Sequence, residues 1–156
     1  MAVAVTDFEP NAVKEIAQGL TKALAETSVA TLKAQNFHWN VTGMAFGPLH
    51  ALFQEIYEDH FTGQDELAER VKALGEHAEG RYAEYLKLSS LKESDGKLAA
   101  EKMVAELAAD QATLSSTLRA LAAIADKHED VVTNDLAIER ANAHDKFAWM
   151  LRSHLQ

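Results

Sequence analysis

Apolar residues recur every three or four positions through most of this chain, with polar residues between them, which is the period of an amphipathic helix. Val13, Ile16, Leu20 and Leu24, continued by Thr27 and Ala30/Thr31, predict a first helix from about Asn11 to Asn40. Pro10 suits its first turn and Thr42-Gly43 its stop. A second stripe of Leu49, Leu52, Phe53, Ile56, Leu67, Val71 and Leu74 predicts a helix from Pro48 to about Leu74, ended by Gly75. After a polar stretch, Glu76 to Gly80, the run Arg81 to Leu88 suits a short helix with Tyr82, Tyr85 and Leu86 on one side. Ser94-Asp95-Gly96 marks a turn. Two more long helices follow, from about Leu98 to Ala125 and from about Val131 to Leu155, the latter capped by Asp130 or Thr133. Leu107, Leu114, Leu118, Leu121, Phe147 and Leu151 read as their core positions. The fold class is all-α. The connection between the second and third long helices is long enough to traverse a four-helix bundle, so one long crossover is expected.

Composition narrows this picture without changing it. At 156 residues the chain is one domain, 1–156, with residues 1–10 as a short N-terminal extension. The 47% hydrophobic and 25% charged content is that of an ordinary water-soluble domain. Met1 to Val5 lacks the basic start of a secretory signal, and no apolar run approaches the roughly 18 residues of a membrane span. The absence of cysteine excludes disulfides, iron–sulfur clusters and thiolate zinc sites, and agrees with a cytoplasmic location. A formal charge of −9 favours cations over nucleic acid as partners.

The candidate chemistry lies between His38 and Glu69. His38, His50, Asp65 and Glu69 are nitrogen and oxygen donors of the kind that bind iron when no thiolate is present. Asp65 and Glu69 are one helical turn apart, and His50 falls within about 60° of the same face. Along a straight helix, however, His50 and Asp65 are roughly 22 Å apart, whereas metal–ligand bonds measure about 2.0–2.6 Å. One helix therefore cannot bring both to one ion. Two copies packed antiparallel about a two-fold axis near Tyr57 and Glu58 can, with His50 of one chain facing Asp65 of the other. The spacing suggests a metal and a dimer together.

These residues also carry a resemblance. His38-Trp39-Asn40-Val41-x-Gly43, Phe46-x-x-Leu49-His50-x-x-Phe53 and Asp65-x-x-Ala68-Glu69-Arg70 resemble the Dps family of miniferritins. Tyr85-Leu86-x-Leu88-Ser89-Ser90 and His144-Asp145-Lys146-x-x-Ala148-Trp149-Met150-Leu151 are similar to that family as well. The resemblance implies a ferritin-like four-helix bundle with a short helix in the long connection. It also implies a hollow homo-oligomeric shell, a dodecamer, that oxidises Fe(II), preferentially with hydrogen peroxide, and stores the ferric product. By the same resemblance, a two-iron ferroxidase site lies between subunits: His38 and His50 from one chain, Asp65 and Glu69 from the other, with Trp39 beside them taking up oxidising equivalents. One departure stands out. The family usually carries an acidic residue four positions after the second histidine, and here that position is Gln54, whose carbonyl oxygen brings no charge. Glu55 points about 100° away and does not replace it.

Each residue has a plainer reading. A histidine at a helix end is commonly a cap, Asp65 and Glu69 a solvated face, and Trp39 a core residue. His60, beside Asp59, reads as surface, and His128, His144 and His154 carry no signal. Like charges one turn apart cost a few tenths of a kcal/mol unless a cation intervenes, which favours the metal reading of Asp65 and Glu69. Asp130, Asp135 and Glu139, near the turn between the last two helices, suggest an acidic pore that draws in Fe(II), against the plain alternative of acids placed at a helix N-terminus. The leading functional reading is a ferroxidase and iron store that protects against oxidative stress. The alternative is a nucleoid DNA-binding protein with a weak or degenerate ferroxidase site. With no Lys or Arg before Lys14 and few after Met150, DNA binding is expected to be weak or absent.

Overall fold

The apolar stripes fold into α1 (Pro10–Asn40), α2 (Phe46–Ala73), α3 (Tyr82–Leu88), α4 (Ala100–Lys127) and α5 (Val131–Arg152), and a short 3₁₀ turn, Ser153–Leu155, follows. The computed structural model describes residues 4–156; Met1 to Val3, part of the expected extension and of the segment read for a leader, lie outside them. No strand occurs among the described residues, and no helix is long and apolar enough to cross a membrane.

The expected helix ends shift by a few residues, for local reasons. α2 starts at Phe46 rather than Pro48, because first-turn N–H groups have no intrahelical partner and proline costs nothing there. α5 stops at Arg152 rather than Leu155. Its last turn tightens as Ser153 Oγ donates to the Trp149 carbonyl at 2.9 Å and His154 Nδ1 reaches the Met150 carbonyl at 3.0 Å. Of the two expected caps for α5, Asp130 holds the position, accepting from the Thr133 N–H at 3.0 Å.

Two apolar clusters show how the helices run. One joins Ile16, Leu20 and Leu24 of α1 to Leu67 and Val71 of α2, Leu118 and Leu121 of α4, and Ala137 and Ala141 of α5. The other joins Ala34 and Phe37 to Leu49, Phe53 and Ile56, Met103 and Leu107, and Phe147 and Leu151. The N-terminal halves of α2 and α4 thus share one end of the bundle, so these helices are parallel. The chain must cross the length of the bundle between them, and it does so through residues 74–99, with α3 lying against α1. This is the ferritin-like arrangement, a four-helix bundle with a short helix in the crossover.

Between the apolar ends lies a polar layer that corrects one expectation: His60 is fully buried, not on the surface. It occupies the inward stripe of α2, between Ile56 and Gly63. Its Nδ1–H faces the Asp59 carboxylate at 3.3 Å, so its Nε2 accepts from the Gln111 amide at 3.1 Å. The Gln111 carbonyl then accepts from His144 Nδ1–H at 2.7 Å. Asp59 also takes two bonds from Arg140, at 3.1 and 2.6 Å. Burial opposes the charge on Asp59, yet the bonds from His60 and Arg140 outweigh it and hold the carboxyl well below its usual range. Burial pushes both imidazoles down, His144 the further, so the rings are held neutral. Gly63 makes the layer possible: a Cβ there would lie 2.7 Å from Arg140 Cζ.

Candidate metal centre

The residues of the site are placed by the hairpin between α1 and α2. Its short connection, residues 41–45, sets the last turn of α1 beside the first turns of α2. His38 and His50 stack there with ring centroids 3.7 Å apart and planes 14° apart. Each ring binds the other's backbone: His38 Nδ1 donates to the His50 carbonyl at 2.7 Å, and His50 Nδ1 donates to the His38 carbonyl at 2.7 Å. The His38 carbonyl belongs to the last turn of α1, where carbonyls lack helical partners, so the bond also closes the helix end. A carbonyl only accepts. Both Nδ1 atoms therefore carry hydrogen, and the neutral tautomer of each ring is the one with its lone pair on Nε2. That is the tautomer a metal-binding histidine needs, with its other nitrogen anchored to the protein. Phe46 stacks on His50 at 5.0 Å and Tyr57 meets His38 edge-on at 5.3 Å, which fixes the ring positions.

The stacking limits how metal can bind. Imidazole nitrogen binds a metal along its lone pair, in the ring plane. Two stacked, nearly parallel rings with centroids 3.7 Å apart cannot both hold one ion in the ring plane near 2 Å from each nitrogen. The pair suits two neighbouring ions, one per ring, at the spacing of about 3.5–4 Å usual for two-metal sites.

Asp65 and Glu69 stand exposed on α2, unlike Asp59 and Asp130, whose carboxylates are taken up by Arg140 and Arg70. Within one chain they do not join the histidines: no three or more His, Asp or Glu side chains among the described residues come together as a metal site. Gln54, one turn after His50, is half-buried and donates through Nε2 to Glu58 at 2.8 Å. Trp39 is 64% exposed, so the core reading fails. It walls a groove with Leu32, Tyr82 and Leu86.

Of the acidic residues near the α4–α5 turn, Asp135 and Glu139 are exposed. Asp130 is 1% exposed and pairs with Arg70 at 2.9 Å. Burial opposes its charge, but the bonds from Thr133 and Arg70 prevail and lower its pKa. Its charge is used inside the subunit, and so the pore reading loses this member for a structural reason. The features that sequence reading missed are the reciprocal histidine bonds, the Gln54–Glu58 bond and the Gln111–His144 link. Only the first carried a signal, since two histidines flanking a tight turn between helices are placed to meet.

A ferritin-like domain model matches residues 17–156. The DNA protection during starvation protein 2 of Bacillus anthracis is 37% identical over 142 residues, covering 91% of this chain and 97% of that protein. The chain belongs to the Dps family. The fold agrees: the Dps of Staphylococcus aureus superposes with a TM-score of 0.89 at 36% identity, over 92% of this chain and 96% of that one. A Vibrio cholerae Dps, described as a member of a broad superfamily of ferritin-like diiron-carboxylate proteins, gives a TM-score of 0.93 at 28% identity, over 100% of this chain and 98% of that one. Iron storage and the protection of DNA are what membership in this family implies.

Proposed function

We propose that this Dps protein is a cytoplasmic ferroxidase that oxidises Fe(II), preferentially with hydrogen peroxide, and stores the ferric product inside a dodecameric shell. The observation that carries the reading is the His38–His50 clasp, which fixes two neighbouring rings with both Nε2 lone pairs free. Asp65 and Glu69 of a two-fold-related chain supply the charge. They are exposed and unneutralised here, as donors awaiting a partner subunit must be. Iron is the substrate. Two Fe(II) each give one electron to a peroxide, two protons are taken up, and the products are two Fe(III) and two waters. Oxidising two ions at one site avoids the release of a hydroxyl radical from a one-electron step, and this protects the cell from oxidative damage. Trp39, beside His38, takes up stray oxidising equivalents. Gln54 offers a neutral carbonyl oxygen, so one iron is held tightly through Glu69 and the second weakly. Asp135 and Glu139 draw Fe(II) towards the shell.

The test is anaerobic Fe(II) oxidation by peroxide, followed by absorbance and by peroxide consumption. The native protein consumes one peroxide per two iron ions, and His50→Ala loses most of the rate with the assembly intact by light scattering. Rapid oxidation that survives removal of both histidines would overturn the reading.

A further inference from the structure

The bond between Gln54 and Glu58 bears on the departure at position 54. A carboxylate has only acceptor atoms, so the Gln54 group facing Glu58 at 2.8 Å must be the amide nitrogen. The carbonyl oxygen is then turned away from Glu58. Without that bond the two ends of the amide are nearly equivalent in shape, and a half-turn about the last side-chain torsion exchanges them. The exchange matters beside a cation. The oxygen is a ligand, whereas the NH₂ group has no lone pair to give and presents hydrogens. An amide whose N–H donates to a carboxylate also carries more negative charge on its oxygen.

We propose that Glu58 is a positioning residue for the ion on His50: it holds the Gln54 amide so that the carbonyl oxygen is the group offered to the metal. The negative charge that the family pattern has at position 54 stands here one turn further along α2, and it acts through the amide. This rests on the reading of His38, His50, Asp65 and Glu69 as the ferroxidase site. It adds that Gln54 works as a ligand only in the orientation that Glu58 sets.

A double-mutant cycle tests it on the assembled protein, with Zn²⁺ as a redox-inert probe for the same nitrogen and oxygen donors. Calorimetry of the native protein resolves a tight and a weak Zn²⁺ per site, both lost in His38→Ala/His50→Ala. Glu58→Ala weakens the second ion about two- to tenfold, since the competent amide orientation is no longer favoured, and leaves the first unchanged. Glu58→Gln, whose amide can either accept from or donate to Gln54 and so no longer selects one orientation, shows a loss close to that of Glu58→Ala. In the Gln54→Asp background Glu58→Ala has no effect, because there is no amide to orient. An equal loss in both backgrounds would show that Glu58 acts only as a distant charge, and no loss in the native background would show that the bond is irrelevant. Either overturns the inference and leaves the ferroxidase reading standing. Zn²⁺ binding that ignores the histidine substitutions would instead remove that reading itself.

Discussion

Single residues in this protein take roles set by what surrounds them. His60 shows the point. Its neighbour Asp59 makes it look like a surface residue, but the spacing of Ile56, His60, Gly63 and Leu67 puts it on the buried stripe of α2. The stripe is a better guide than the neighbour, because burial follows helical phase. What the stripe cannot disclose is that Gln111 and His144, on other helices, satisfy the ring. The layer predicts acid sensitivity. His60 and His144 have lowered pKa values in the fold, so the unfolded chain binds protons first as pH falls. Their contribution to stability is full above the unfolded imidazole value near 6.5. It is lost below that value, by up to about 1.4 kcal/mol per pH unit for each ring, until the folded pKa is passed. Urea unfolding at about pH 7.5 and about pH 5.5 should show lower stability at the lower value; equal stability would mean that the two rings bind protons alike in the folded and unfolded chains. Gly63→Ala tests the same layer by sterics. Alanine in a helix normally gains about 1 kcal/mol over glycine. Here the Cβ meets the Arg140 guanidinium, held by Asp59, and a net loss of about 1–2 kcal/mol is expected from disturbing a buried pair.

At the scale of elements, the helices and their order were legible because each carries an unbroken apolar stripe. The length of the connection allowed the parallel placement of α2 and α4, and the family resemblance implied it. The ends were less legible, since capping depends on side-chain contacts that periodicity does not encode. The α4–α5 turn illustrates this. Glu129 adopts φ 57°, the left-handed conformation after a helix end, and the Asp130 N–H closes back on the Ala125 carbonyl at 2.9 Å. No sequence rule places a glutamate there. Glu129→Gly should therefore stabilise the subunit, by about 1 kcal/mol, through relief of the left-handed strain. Thermal melting would read it, and a lower midpoint would show that the Glu129 side chain contributes more than its backbone costs. The candidate site was half legible at this scale. The positions of His38, His50, Asp65 and Glu69 on their helices followed from spacing, whereas the stacking of the two rings depends on the hairpin.

At the scale of the whole molecule, charge and assembly decide function. With a net charge of −9 per chain the proposed shell would be strongly negative, and the Val5 N–H is bonded to the Ala73 carbonyl at 3.0 Å. A duplex should be repelled at neutral pH. A gel shift at about 150 mM salt without magnesium should show no complex; tight binding would reveal a basic surface formed by assembly and favour the nucleoid reading. The proposed ferroxidase site is shared between two chains, and co-assembly of two complementary variants reports on that sharing. One variant lacks both histidines (His38→Ala/His50→Ala) and the other both carboxylates (Asp65→Ala/Glu69→Ala), and each alone is inactive. When they are co-assembled in equal amounts, half of the two-fold pairs are mixed. Each mixed pair has one site with all four residues, so about a quarter of the native ferroxidase rate should return. Mixed shells that assemble normally yet stay as inactive as their parents would show that each subunit needs all four residues of its own.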